Sequence, residues 1–293
     1  MTLPFELSIN DPILNTVLSQ IRSDDPRVNQ LVSSLVTHLH AFVDEVKPSA
    51  DEWMYGLEFL RRTGTYCTGE RHEFILLSDL LGLSTHVETI NNPGPAAMTA
   101  PTVTGPFHIP APAREMGARI ATDEEWARGD WTVVHGRITD CDGAPVANAT
   151  LDVWQADDVG LYDVQLPDAP LGTLRGKFST GDDGAFWFRT IKPCSYPVPV
   201  DGTGGELLRA LHRNHMRPAH IHARIEAPGF RTLTTHVFVD GDEYLAADAA
   251  HGVRPGLAVS FDQRCADPTR IIGYDVPGPY FDIEFDFRLV PVP

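Results

Sequence analysis

The chain has 293 residues, a formal net charge of −17, 42% hydrophobic residues and four cysteines. That length is enough for one large or two medium domains with real cores. The acidic balance, with no basic patch, argues against nucleic acid and anionic membrane surfaces as partners. No apolar run approaches the ~20 residues of a membrane span.

The opening stretch MTLPFELSINDPIL has no basic segment followed by an apolar run, so no signal peptide is expected. Further on, Val28, Leu31, Val32, Leu35, Val36, Leu39, Phe42, Val43 and Val46 recur at three- and four-residue spacing, which predicts a helix with a broad apolar stripe. Asp25 and Pro26 suit its N-cap and first turn. Ser49 with Glu52 forms a capping box for a second helix, and RHEFILLSDLLGL reads as a third. The stripe is most simply core, and it is wide enough to serve a subunit interface as well. His38 and His40 lie two apart on a helix, so they point about 200° apart and are not expected to share an ion.

Residues 91–113, rich in Pro, Gly, Ala and Thr, read as an extended connection. Beyond it, WTVVHGRIT, NATLDVWQ, GKFST and AFWFRT are short β-rich runs separated by the turns DCDGAP and GDDG. YFDIEFDFRLVPV alternates as one half-buried strand should. The expected fold is α+β: a helical domain over residues 1–92 and a mostly antiparallel β-sandwich over residues 93–293. Cys67, Cys141, Cys194 and Cys265 are far apart and form no CxxC, so they read as reduced thiols of a cytoplasmic protein.

The chemistry centres on RPAHIHARIEAPGF. In a strand, residues two apart share a face, so His220 and His222 project together while Ile221, Ala223 and Ile225 face a core. Such a pair suits a transition metal; the alternative is two buried, hydrogen-bonded histidines. Tyr162 and Tyr196 each follow a strand-like run, in a turn marked by Gly or Pro where functional side chains are often held. A free phenol titrates near ~10, so a tyrosinate at neutral pH needs a nearby cation. A rival set joins His212 and His215 to the strand pair as a zinc site, but it leaves both tyrosine turns unexplained.

With these residues in view, the chain resembles the intradiol ring-cleaving dioxygenases, non-haem ferric enzymes that open catechols between their hydroxyls. The resemblance rests on VWQADDVGLY, TGDDGAFWFRTIKPCSYPVP, RPAHIHARIEAPG and LTTHVFVDGDEYL, and it extends over nearly the whole chain. It implies one Fe(III) per subunit, held by Tyr162, Tyr196, His220 and His222. Tyr196 would be the ligand displaced by substrate, doubling as a base. It also implies that Arg217 stabilises charge developing on the ring. The segments EFILLSDLLGLS and TVTGPFH are similar to the hydroxyquinol-cleaving branch. That similarity implies a pocket of Leu76, Asp79, Val103, Gly105, Pro106, Phe107, Val198, Pro199, Arg217 and Ala250. Within it, the Asp79 carboxylate could accept a hydrogen bond from a third ring hydroxyl. Catechol or chlorocatechol is the alternative substrate. Many catechol enzymes carry Gln where this chain has His236, which is read as a neighbour of the ligands and not as a fifth one. The expected partners are thus a small aromatic diol or triol and O2, with a second copy of the chain docked through the N-terminal helices, as family members commonly do, some with lipid in the interface. A non-enzymatic, prealbumin-like binding module remains the remote alternative.

Overall fold

A computed structural model describes residues 11–68, 71–166, 169–265 and 276–292. Residues 1–10, which carry most of the N-terminal stretch read above for a signal peptide, lie outside the described residues. The chain forms two compact units, Met1–Arg62 and Thr63–Pro293.

The first unit holds α1 (Pro12–Gln20), α2 (Pro26–Val46) and most of α3 (Ala50–Thr65). Asp25 caps α2 by accepting from Arg27 N at 2.8 Å, with Pro26 in the first turn. The Ser49–Glu52 box forms in both directions. The broad stripe of α2, however, is not core: no residue of α1 or α2 is buried. Leu35 is 60% exposed and Phe42 51%. His38 Nδ1 lies 2.8 Å from Ser34 O and His40 Nδ1 lies 2.7 Å from Asp11 Oδ2, so the two imidazoles turn to different partners.

The second unit opens with α4 (Glu73–Leu80) and α5 (Leu83–Asn91), and α6 (Asp123–Arg128) precedes the sheets. The third helical run therefore divides at Gly82, whose φ of +73° suits a residue without Cβ. Strands β1 (Trp131–Asp140), β2 (Thr150–Gln155), β3 (Arg175–Ser179) and β4 (Ala185–Ile191) coincide with the four β-rich runs. There follow β5 (Tyr196–Pro197), α7 (Thr203–Ala210), β6 (Met216–Arg217), β7 (His220–Glu226), β8 (Leu233–Val239), β9 (Ala258–Val259), β10 (Asp262–Arg264), β11 (Tyr280–Glu284) and β12 (Phe287–Leu289).

One sheet runs β10-β11-β1-β12 with β4 also on β1; the other runs β3-β2-β7-β8-β9; β5 and β6 make a separate ribbon. Pairing is mostly antiparallel, but β11 and β12 lie parallel to β1, and β9 parallel to β8. Val134, Phe186, Phe188 and Ile283 of the first sheet share one buried cluster with Leu151, Val153, Phe178, Ile221, Ala223 and Ile225 of the second. The two sheets thus pack as a sandwich. The last run forms two strands rather than one. Its register against β1 is continuous, but Arg137 N donates to the Asp286 carboxylate at 2.8 Å, so a side chain replaces the backbone acceptor and interrupts the ladder. The four cysteines are free, and among the described residues no helix is long and apolar enough to cross a membrane.

Candidate metal centre and pocket

The site is built on the second sheet and the loops beside it. His222 on β7 pairs across to Trp154 on β2 and to His236 on β8, so a row of three rings crosses the sheet. Trp154 stacks on His222 with centroids 4.6 Å apart and planes at 10°. His220 lies two residues before His222 on β7, and its Nδ1 donates to Pro218 O at 2.7 Å. A carbonyl only accepts, so the proton sits on Nδ1 and the lone pair on Nε2. That Nε2 lies 3.2 Å from His222 Nε2.

The tyrosines reach the same point from two loops. Tyr196 starts β5, which pairs with β6 at Arg217, and its Oη is 3.4 Å from His220 Nε2. Tyr162 follows β2, and its Oη is 3.1 Å from Tyr196 Oη. Gly160, at φ +89°, lets the Tyr162 loop pass Tyr196, where an added Cβ would meet the Tyr196 Cβ at 2.7 Å. Tyr162, Tyr196, His220 and His222 are all buried, none more than 5% exposed.

Burial governs the protonation states. It pushes His220 down to about 3, helped by the Arg217 charge. Burial likewise holds His222 and His236 well below the usual imidazole range, so all three rings are neutral and able to donate lone pairs. Burial and the neighbouring Tyr196 push the Tyr162 phenol well above its ordinary value, so a phenolate there requires a cation. Two hard oxygens and two neutral imidazole nitrogens, linked by gaps of 3.1–3.4 Å, fit a ferric ion. Among the described residues, the His, Cys, Asp and Glu side chains that group closely enough for a metal are His220, His222 and His236. His212 and His215 do not join them, and the rival zinc set does not form.

Three carboxylates hold this geometry. Asp163, next to Tyr162, makes a fully buried ion pair with Arg175 of β3 at 2.6 Å and accepts Gly172 N at 2.8 Å. Asp242 Oδ2 accepts from Ser195 Oγ at 2.5 Å and from Ala219 N at 2.9 Å. One oxygen thus ties together the residues immediately before Tyr196 and His220. Asp248 accepts from Arg217 Nε at 3.1 Å and from the backbone of Ala250 and Gly252. Burial opposes the Arg217 charge, but the Asp248 carboxylate outweighs it and leaves the guanidinium pKa raised. Arg217 Nη1 ends 3.4 Å from His220 Nε2. None of these carboxylates stood out in the sequence. Asp242 lies within LTTHVFVDGDEYL, but its bonds run to residues 23 and 47 positions away.

A cavity of roughly 190 Å³ opens onto Tyr196 and Arg217. All ten positions singled out from the sequence as pocket residues line it, together with Arg71, His72, Glu73, Ile75 and Gln165. Its walls come from α4, the 103–107 loop, the 196–199 segment and Ala250. Phe107 stacks on Tyr162 with centroids 4.6 Å apart. Gly105, at φ +74°, brings the loop close to the His222 ring. Asp79 is buried and its Oδ1 has no partner, and burial raises its pKa, with Ser84 and Arg217 acting against the shift.

A sandwich with neutral imidazoles and phenols beside a largely apolar cavity is the framework of a metal-dependent enzyme for small aromatic molecules. The comparisons carry this further. The family model described as Dioxygenase matches residues 103–291, and that described as Catechol dioxygenase N terminus matches residues 25–99. A hydroxyquinol 1,2-dioxygenase of Rhizobium sp. (strain MTP-10005) is 44% identical, covering 94% of this chain and 93% of the relative. A 6-chlorohydroxyquinol 1,2-dioxygenase of Cupriavidus pinatubonensis is 49% identical, covering 90% and 91%. Among solved structures, hydroxyquinol 1,2-dioxygenase from Pseudomonas putida DLL-E4 superposes with a TM-score of 0.86 at 42% identity, covering 96% of this chain and 99% of that one. The chain belongs to the intradiol ring-cleavage dioxygenases, a family of non-haem iron enzymes. The reading as a non-enzymatic binding module is thereby set aside.

Asp242→Ala is expected to loosen Tyr196 relative to His220. Iron affinity should fall roughly ten- to hundred-fold, the scale for groups that orient ligands, and the visible tyrosinate band should shift. Asp242→Asn, which keeps one acceptor oxygen, should fall between. Iron titration of the apoprotein followed by visible absorption reads both effects; an unchanged band and affinity in the Ala variant would remove the role.

Proposed function

We propose that this protein cleaves hydroxyquinol (benzene-1,2,4-triol) with O2 between the adjacent hydroxyls, giving 3-hydroxy-cis,cis-muconate, which tautomerises to maleylacetate. The observation that carries the choice of substrate is the unpartnered Asp79 Oδ1 in the cavity wall. The names of the hydroxyquinol-cleaving relatives support the same choice. Catechol has no third hydroxyl to meet that oxygen, so Asp79 penalises it.

Tyr162, Tyr196, His220 and His222 hold one Fe(III) per subunit. When bound, the ion supplies the positive charge that keeps the tyrosines as phenolates and stabilises a substrate dianion. Tyr196 Oη faces the cavity and accepts a proton from a substrate hydroxyl. Arg217, held by Asp248, places a fixed positive charge beside the ring, where negative charge develops. Leu76, Val103, Pro106, Phe107, Val198, Pro199 and Ala250 exclude water, and Gly105 leaves room for the ring.

The protein is a homodimer through its N-terminal helices. The support is the uncovered apolar face of α2, with Leu31, Leu35, Leu39, Phe42 and Val46 each at least half exposed.

Five outcomes follow. Tyr162→Phe or His220→Ala should remove most bound iron or the visible band, measured by metal analysis and absorption; full iron content with an unaltered spectrum in both would refute the ligand set. Arg217→Ala should leave iron and colour largely intact while turnover falls roughly ten- to thousand-fold; near-normal turnover would reduce Arg217 to an ion-pair partner of Asp248. Sedimentation should give twice the 32.3 kDa chain mass at micromolar concentration, and a monomer there would count against the dimer. Oxygen uptake should be fastest with hydroxyquinol when catechol and 4-chlorocatechol are run beside it. A charge-assisted bond to Asp79 is worth about 1.5–3 kcal/mol, or roughly ten- to hundred-fold in specificity. Asp79→Ala should therefore shift the ratio toward catechol, and equal losses on both substrates would show that Asp79 does not read the third hydroxyl.

A further inference from the structure

The start of α7 packs against α4, and α4 carries Leu76 into the cavity wall. The contact falls at Gly204, in the first turn of α7. A Cβ there would stand 2.9 Å from Leu76 Cδ2, 3.2 Å from Leu76 Cγ and 3.2 Å from Leu80 Cδ1. Non-bonded carbons settle at about 3.5–4.0 Å, so a side chain at position 204 must displace a neighbour. Backbone shape does not call for glycine here, because Gly204 has no positive φ. Helix propensity does not favour it either, since glycine is the poorest helix former after proline. What position 204 requires is the absence of a side chain.

Of the groups around this contact, α7 and Leu80 are held in place. Glu73 is fully buried, and its Oε1 accepts from Gly204 N at 2.9 Å and from the Thr203 hydroxyl at 3.4 Å. Arg71 binds the other Glu73 oxygen at 2.8 and 3.0 Å and reaches Asp201 at 2.7 Å. The next residue, Gly205, lies so close to the backbone of Val200 that a Cβ on it would meet Val200 O at 2.1 Å. These contacts pin the first turn of α7 to α4. Leu80 is fully buried in a cluster with Val198, Leu208 and Ala249. Leu76 is only partly buried against that cluster, and it lines the cavity of roughly 190 Å³. Its open side is therefore the cavity, and a side chain at position 204 would drive it there.

We propose that Gly204 is a specificity-determining residue that touches no substrate: the close approach it permits sets where Leu76 stands, and through Leu76 the bulk of ring substituent that the cavity admits. The proposal rests on the reading of that cavity as the seat of the aromatic ring. It extends control of the substrate from the cavity wall to the helix behind it.

The test is anaerobic titration of the iron-loaded protein with catechol, 3-methylcatechol and 4-methylcatechol, followed through the visible band, which gives a Kd for each without turnover. Gly204→Ala should weaken at least one methylcatechol relative to catechol by roughly ten-fold or more, the scale of one methyl group in an apolar pocket. In a Leu76→Ala background the same substitution should leave the ratio unchanged, because the side chain through which it acts is gone. Unchanged ratios in Gly204→Ala overturn the proposal, as does a change that persists in the Leu76→Ala background. If Gly204→Ala alone does not fold, recovery of the fold and of catechol binding on adding Leu76→Ala identifies Leu76 as the side chain displaced, and failure to recover overturns the proposal. A wild-type band that responds to none of the three catechols overturns the reading of the cavity itself, and Gly204 with it.

Discussion

The site depends on one carboxylate oxygen. Asp242 Oδ2 accepts from Ser195 and from Ala219, and so couples the β5 loop to the start of β7. Tyr196 and His220 each follow one of those residues directly, which turns two independent chain segments into one frame. The frame continues through β5–β6 pairing to Arg217 and through the β7 register to His222. The buried Asp163–Arg175 pair brings the Tyr162 loop to the same place. A pair of this kind is weak evidence for net stability, because desolvation offsets its attraction. Its contribution is to specify one position for the loop.

Burial is the second organising fact. Unsatisfied polar atoms are rare in protein interiors, yet several lie around this site: Asp79 Oδ1 in the cavity, and His222 Nδ1 and His236 Nε2 among the rings. The same exclusion of water keeps the imidazoles neutral and the Tyr162 phenol protonated until a cation arrives. Arg217 keeps its charge, and the Asp248 carboxylate against it offsets the cost of burying it. Neutral imidazole lone pairs and the Arg217 charge thus lie together in a buried setting, where electrostatic interactions are stronger than in water.

Much of this was legible in the sequence, for a physical reason: the informative residues obey local periodicities. The two-residue alternation around His220 and His222 specifies both the shared face and the inward Ile221, Ala223 and Ile225. The Asp25–Pro26 and Ser49–Glu52 signals act within one helical turn. What was not legible is what depends on distant partners. Asp242, Asp248 and Asp163 are ordinary acidic residues until folding brings Ala219, Arg217 and Arg175 to them. The break between β11 and β12 depends on Asp286 meeting a backbone N–H on β1. The exposure of the α2 stripe is equally invisible to periodicity, which reports that a face is apolar and not what covers it.

The cavity wall and the row of rings come from different parts of the chain. Leu76 and Asp79 sit on α4 and Val103 to Phe107 on a loop, while His220, His222 and His236 belong to the second sheet. Tyr196 and Arg217 serve both. Substitutions on α4 can therefore change the size and polarity of the cavity without altering a sheet register or breaking the Asp242 frame. Such a layout favours divergence: a lineage can exchange one ring substituent for another in small, tolerated steps while the oxygen chemistry is inherited unchanged.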